Sequence, residues 1–291
     1  MGGSWPDQVF VFRQSVVGSR SCSRAYALWP HMTALENVAY PIRRRGVPAA
    51  EARRAARQLL ERLGVGALAE RRAVELSGGE QQRVGLGRAL AREGRLYLFD
   101  EPTAHLDPVL RGQLQDEIAA QRRQTGAAAL WATHDTAEAL AIADRVALLR
   151  AGRLVQLGSP SAVYERPVDV WTARLTGPAS LLPIRVVSRA GPRGCLELGG
   201  AFVEVDLEGP DGLTSVLIRP DWAQLDGDLS GRVASVAYRG THTDYELTTP
   251  VGSVGIRTAG PPRAVVGDSR GWRLDRAWLM DGGGPVAGEV D

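Results

Sequence analysis

The 291-residue sequence contains no lysine; all 35 of its basic residues are arginine. That absence excludes a phosphate loop of the form G-x-x-x-x-G-K-[ST]. In such a loop the lysine meets the β- and γ-phosphates, and the glycines let backbone N–H groups surround them. Asparagine is reduced to Asn37, a bias that fits a GC-rich genome better than selection for a ligand. The two cysteines, Cys22 and Cys195, lie far apart without a C-x-x-C or Cys/His spacing. They offer neither a zinc site nor a disulfide framework, and the cytosol is the default compartment. No run approaches the ~18 consecutive apolar residues of a membrane span. The N-terminal stretch MGGSWPDQVFVFRQS lacks a basic segment followed by an apolar one, so neither secretion nor membrane spanning is expected. A net charge of +2, with arginines dispersed along helices and loops, gives no basis for a nucleic-acid partner.

What is present suffices for two domains with separate cores: 44% hydrophobic and 23% charged residues in a chain of this length. Segment 49–64 places Ala52, Ala55, Ala56, Leu59, Leu60 and Leu63 at helical spacing, with Gly64 to end it. Ser77-Gly-Gly-Glu80 reads as a capping box opening a helix to about Arg92. Residues 96–99 form a short apolar run ending at two carboxylates, as expected of a buried parallel strand that delivers Asp100 and Glu101 at its C-terminal edge. A second such strand, 127–132, delivers Thr133 and His134. A helix over 135–143 and a hairpin of 145–150 with 153–157 complete an α/β pattern. The texture changes near Gly177-Pro178. Beyond Leu182, short β-prone runs alternate with Gly/Pro/Asp turns, as in a small β-barrel-like domain.

Three strings carry chemistry. In LSGGEQQRV, Ser77 offers a hydroxyl while Gly78 and Gly79 present unhindered N–H groups at a helix N-terminus, where orphan donors and the macrodipole favour an anion. In LYLFDEPT, Asp100 is suited to hold Mg²⁺ through its water shell and Glu101 to orient or deprotonate an attacking water. In WATHD, His134 follows an apolar strand, where its ring can hydrogen-bond a phosphate oxygen and report its loss.

Together these strings resemble the nucleotide-binding subunit of ABC transporters over most of residues 24–291. The resemblance makes LSGGE at 76–80 the signature motif, 96–101 the Walker B segment, AHLD at 104–107 the D-loop and His134 the switch histidine. It implies an α/β fold: an incomplete P-loop-NTPase-like ATPase domain of parallel sheet plus helical subdomain, then a small all-β TOBE/OB-like barrel. The corresponding boundaries are a disrupted segment 1–25, a partial ATPase domain 26–178, a TOBE-like domain 179–281 and a flexible tail 282–291. GPASLLP at 177–183, VLIRPDW at 216–222 and YRGTHTDYEL at 238–247 carry the TOBE resemblance, which points to importers of the ferric-iron, polyamine or sugar type. His242 reads as part of a solvated turn in preference to a solute-sensing contact.

The implied cofactors are ATP and Mg²⁺. The implied site residues are Glu101 and His134 for catalysis, Ser77, Gly78, Gly79, Glu80 and Asp107 for the nucleotide, and Asp100 for the metal. The implied partners are a second ATPase subunit, permease subunits contacted through 26–45 (around Trp29, Met32 and Leu35), and indirectly a periplasmic or lipid-anchored solute-binding protein. The expected location is the cytoplasmic face of a membrane, peripherally bound.

The pattern breaks at the front. Only about two dozen residues precede Tyr26, too few for an adenine-stacking strand and a P-loop, so a truncated N-terminus is expected. Two placements of the Q-loop glutamine are open: Arg24, which cannot accept a hydrogen bond from water, or Gln14, displaced by the insertion 16–25. With no phosphate cradle, the chain's own site is expected to hydrolyse ATP negligibly, while its signature and D-loop could complete a partner's site. The alternative is a non-catalytic interaction subunit or an inactive truncation product.

Overall fold

The structure is a computed structural model that describes residues 8–12 (backbone only), 28–92, 94–103 and 106–281. Arg24, Gln14, Cys22, Tyr26, Ala104, His105 and the tail 282–291 lie outside the described residues. Two compact units divide the chain, Met1–Pro160 and Ser161–Asp291.

The first unit runs β1 (Gln8–Phe12), α1 (Ala34–Arg43), α2 (Ala49–Arg62), α3 (Gly78–Leu90), β2 (Leu96–Asp100), α4 (Pro108–Thr125), β3 (Ala128–Thr133), α5 (Thr136–Ile142), β4 (Arg145–Arg150) and β5 (Arg153–Gly158). Its sheet has the order β2-β3-β1-β4-β5. The α/β class holds, but the expected parallel sheet is mixed. Only β2 and β3 are parallel, because β1 runs opposite to both β3 and β4, and β4 with β5 is a hairpin.

Helices α1, α2 and α3 build a small helical layer. Thr33 caps α1, its hydroxyl accepting from the Glu36 N–H at 3.1 Å while the Glu36 carboxylate accepts from the Thr33 N–H at 2.9 Å. Ala52, Ala56, Leu59 and Leu60 form the buried stripe of α2. Gly87 lets α3 come close: a Cβ there would sit 3.0 Å from Leu63 and 3.4 Å from Val38. Asn37, the chain's single asparagine, is fully buried. Its amide accepts from the Trp29 N–H at 2.8 Å and donates to the carbonyls of Trp29 and Thr33, folding the entry segment onto α1.

The second unit opens with α6 (Pro160–Glu165) and α7 (Val170–Thr176), followed by β6 (Ser180–Pro183), β7 (Arg185–Ala190), β8 (Arg193–Leu198), β9 (Ala201–Glu208), β10 (Ser215–Ile218), β11 (Ala223–Tyr238), β12 (His242–Thr249), β13 (Gly252–Ala259), β14 (Ser269–Leu274) and β15 (Arg276–Met280). The barrel-like expectation takes the form of two sheets, β6-β10-β15-β9-β8-β7 and β13-β12-β11-β14. They share one core, with Leu196, Leu207 and Val216 from the first and Leu247, Ile256 and Trp272 from the second. Arg219, fully buried, gathers α6 and α7 into this unit. Its guanidinium donates to the carbonyls of Tyr164, Ala173, Gly177 and Pro178 and to the Thr176 hydroxyl, at 2.7–3.1 Å. The change in sequence texture near residue 178 therefore falls later than the division between compact units, since both helices pack with the β domain.

Candidate functional site

Parallel pairing of β2 with β3, Asp100 opposite Ala132, sets the C-terminal ends of the two strands side by side. Packing inside the sheet anchors them: Phe99 and Trp131 are buried with ring centroids 5.5 Å apart. Asp100 ends exposed at the strand tip. Glu101 follows with its N–H donated to the Ala132 carbonyl at 2.9 Å and with φ at +49°, a left-handed conformation that costs a residue with a Cβ about 1–2 kcal/mol. That turn aims the Glu101 carboxylate at His134. Oε1 accepts from the His134 backbone N–H at 3.1 Å and lies 2.7 Å from ring Nδ1. The hydrogen bond to Glu101, and then its charge, raises the His134 pKa above the ordinary histidine value. The imidazole is 70% exposed and the carboxylate 18%, so the pair sits at the surface with its histidine outward.

Two residues that the sequence reading passed over hold this turn. Gln82 is buried on α3, and its Nε2 donates to the carbonyls of Glu101 and Pro102 at 3.1 and 3.0 Å. Two such bonds contribute about 1 kcal/mol each, enough to offset the cost of the left-handed residue. On the other side Glu138 is buried on α5, accepting from Thr103 Oγ1 at 2.6 Å, Gln115 Nε2 at 3.1 Å and Trp131 Nε1 at 3.2 Å. Asp135 caps α5 through the Glu138 N–H and pairs with Arg111 of α4 at 2.9 Å. A signal for Gln82 did exist: it shares the i, i+4, i+8 stripe of α3 with Leu86 and Leu90, all buried, so it is the polar member of an apolar face.

The signature string opens α3 with Ser77 at the N-cap. The Glu80 carboxylate accepts from the Ser77 N–H at 2.8 Å, and bonding to Ser77 holds its pKa below the ordinary value. At Gly78 and Gly79 a Cβ would meet nothing within 4 Å. The chain's own packing therefore does not require glycine at either position, although glycine weakens a helix. Gln81 fixes the lead-in by donating to the carbonyls of Ala73 and Leu76, both at 3.0 Å. Asp107 caps α4, its Oδ1 accepting from the Val109 and Leu110 N–H groups at 3.0 Å each.

Glu101 and His134 are thus brought into contact. Ser77, Gly78, Gly79 and Glu80 form a separate helix start connected to them through α3, and Asp107 serves its own helix. Among the described residues no cluster of three or more His, Cys, Asp or Glu side chains could hold a metal ion, at Asp100 or elsewhere.

Of the residues expected at a permease surface, Leu35 is core, at 1% exposure, whereas Trp29 lines a groove. That cavity of about 450 Å³ is bordered by Trp29, Tyr40, Pro41 and four arginines, Arg44, Arg45, Arg88 and Arg92. Trp29 and Tyr40 meet edge-on at 4.6 Å, and the Arg88 guanidinium stacks 3.5 Å over the Trp29 ring. In the second unit His242 lies 3.7 Å from Asp244, whose carboxyl is held below its ordinary pKa by its hydrogen bond from Arg257 at 2.6 Å. No helix among the described residues is long and apolar enough to cross a membrane.

Known proteins share both units. The ABC transporter family model matches residues 13–104, and the TOBE domain model matches residues 216–280. The Fe(3+) ions import ATP-binding protein FbpC of Agrobacterium fabrum is 37% identical over 238 residues, covering 80% of this chain and 67% of that protein. FbpC of Brucella melitensis is 38% identical over 238 residues with the same coverage. The spermidine/putrescine import ATP-binding protein PotA of Mesorhizobium japonicum is 36% identical over 231 residues, 77% of this chain and 64% of that protein. With identity of this level over about four fifths of its length and both domain models matched, the chain belongs to the ATP-binding subunits of ABC importers, which are ATPases by family.

Proposed function

We propose that this chain is an energy-coupling subunit that completes a partner's ATP site with its signature and contributes little hydrolysis in its own. Two observations carry the proposal together: the Glu101–His134 contact and, separate from it, the unobstructed Gly78-Gly79 helix start. ATP supplies the γ-phosphoryl group and Mg²⁺ neutralises its charge when they are bound. The residues fit part of such a site. Ser77 and the bare N–H groups of Gly78 and Gly79 suit a phosphate at a helix N-terminus, and Asp100 suits the hydrated metal. They do not fit a complete one, because the sequence holds no lysine for the β- and γ-phosphates. Glu101 is the candidate base. Its Oε1 is engaged by the backbone N–H and the ring of His134, which orients the carboxylate and leaves its second oxygen outside that contact.

The proposed setting is the cytoplasmic face of a membrane, as a dimer with a second ATPase subunit, identical or not, beside permease subunits served by a solute-binding protein. The groove of Trp29, Tyr40 and four arginines is the proposed permease contact, and its charge suits an acidic segment. Ferric iron and polyamines are the proposed solutes, because the names of the relatives carry them. A second reading, a subunit that assembles without contributing catalysis, is favoured by the missing lysine.

Purified chain with millimolar Mg-ATP is expected to give near-background turnover. Loss of one preorganised donor alone costs on the order of 10²–10³ in kcat. Mixed with an intact family subunit whose signature serine is disabled, it is expected to restore turnover in a manner that depends on Ser77. Robust turnover by the chain alone, abolished by Glu101→Gln, would overturn the proposal.

A further inference from the structure

The turn Glu101-Pro102-Thr103 has no regular structure of its own, yet it is held from two sides by buried side chains belonging to different helices. Thr103 is bonded to Glu138, which is itself tied to α4 through Gln115 and to β3 through Trp131, so this side is a fixed anchor. The other side is Gln82, twenty residues upstream on α3. Its amide assignment is forced by chemistry, since both neighbours are carbonyls and only the NH₂ end can donate to them. Its Oε1 is buried and finds no partner among the described residues. A buried, half-satisfied glutamine is a poor choice for stability alone, and an apolar residue would pack with Leu86 and Leu90 without that orphaned acceptor. What glutamine supplies is one donation to the carbonyl of Glu101, the residue of this turn in a left-handed conformation, and a second to the carbonyl of Pro102 that follows it.

We propose that Gln82 is a positioning residue that holds Glu101 within reach of His134 and thereby ties the Glu101–His134 contact to the helix whose first turn is Ser77–Gly79. The helix start and the carboxylate are then two ends of one rigid connection within a single chain. A ligand that shifts the beginning of α3 reaches the Glu101-Pro102 turn through the two hydrogen bonds of Gln82. The assignment rests on the proposed function only for what docks at Ser77–Gly79. The link itself is a property of the isolated chain.

The test uses the full chain alone, ¹⁵N-labelled, with the His134 ring nitrogens as the signal at fixed pH and His134→Asn to assign them. Glu101→Gln defines the signal of a histidine released from its carboxylate. Gln82→Leu is expected to move the His134 ring nitrogens most of the way toward that reference. The control is Gln81→Leu, which likewise removes two donations to carbonyls, those of Ala73 and Leu76, but touches nothing in the turn. It is expected to leave His134 at its wild-type position even where it lowers the melting temperature. An unchanged His134 signal in Gln82→Leu overturns the proposal, as does an equal displacement in Gln81→Leu, which would mark general loosening of α3. Should Gln82→Leu fail to fold, Gln82→Asn keeps the amide but withdraws it by one methylene, and the same two outcomes apply. Because no ATP is used, failure here leaves the trans role untouched, and failure of the trans role leaves this link untouched.

Discussion

Each unit contains a buried charged side chain that neutral groups satisfy, Glu138 in the first and Arg219 in the second, but the two use different partners. Arg219 in the second unit donates to four backbone carbonyls and a hydroxyl, all within the segment 164–178. Burial pushes its pKa down, and it remains charged because a guanidinium starts so high. Glu138 in the first unit accepts from three side chains, on the Glu101-Pro102-Thr103 turn, α4 and β3. Backbone partners make Arg219 a fastener of the fold, since a carbonyl cannot leave without moving its chain. Side-chain partners make Glu138 an organiser of the site, since it sets where Thr103, and with it Glu101, can stand.

The comparison is most directly broken at Arg219. Arg219→Met removes six hydrogen bonds and orphans buried carbonyls, so a loss of about 3 kcal/mol or more is expected in urea denaturation. Arg219→Lys should recover little, because a single ammonium cannot reach all five oxygens. A loss below about 1 kcal/mol would show that the carbonyls find water instead. Glu138→Leu is expected to cost about 2–3 kcal/mol by leaving three donors unpaired, with Glu138→Gln costing less because it keeps one acceptor. The sharper measurement there is complementation of a partner's ATPase, which Arg219 variants that remain folded should leave intact.

Smaller in stability but large in function is Gly79→Ala. With open space around its Cβ, alanine should leave stability unchanged or raise it by up to ~1 kcal/mol. In the same variant, trans ATPase is expected to fall on the order of tenfold or more as the methyl obstructs the phosphate-facing backbone. Unimpaired ATPase would reduce the motif to a helix cap. The smallest effect concerns pH. The raised pKa of His134 means the folded chain binds more protons than the unfolded chain between the ordinary histidine value and the raised one. The associated stability is present below the ordinary value and is lost as pH rises through the raised one. Its slope should be slight, because the ring is largely exposed, and should vanish in Glu101→Gln.

Local pattern made much of this legible. The helix at 49–64, the start of α3 at Ser77, strands β2 and β3, and the β4–β5 hairpin follow from periodicity and caps, which depend on near neighbours only. Helix α4 was missed because its mostly polar, glutamine-rich sequence carries no clear apolar stripe. Glu138 escaped for a subtler reason. It stands three residues after the capping Asp135, a spacing that sends a glutamate back to the helix start, whereas the structure turns it inward to Trp131. The direction of β1 was equally beyond sequence pattern, since alternation reads the same along either strand direction.

By itself the sequence determined the family, the carboxylate and histidine that end two neighbouring strands, and the absence of any lysine for a phosphate cradle. Those are matters of residue identity and short spacing. Only the tertiary structure decided that Glu101 stands in a left-handed turn against His134, that Gln82 and Glu138 grip that turn from helices on either side, and that Arg219 closes α6 and α7 onto the β domain. Each of those contacts joins residues separated by about 20 to 55 positions. Burial, which turns an ordinary polar side chain into an obligatory hydrogen-bond partner, exists only once the chain has packed.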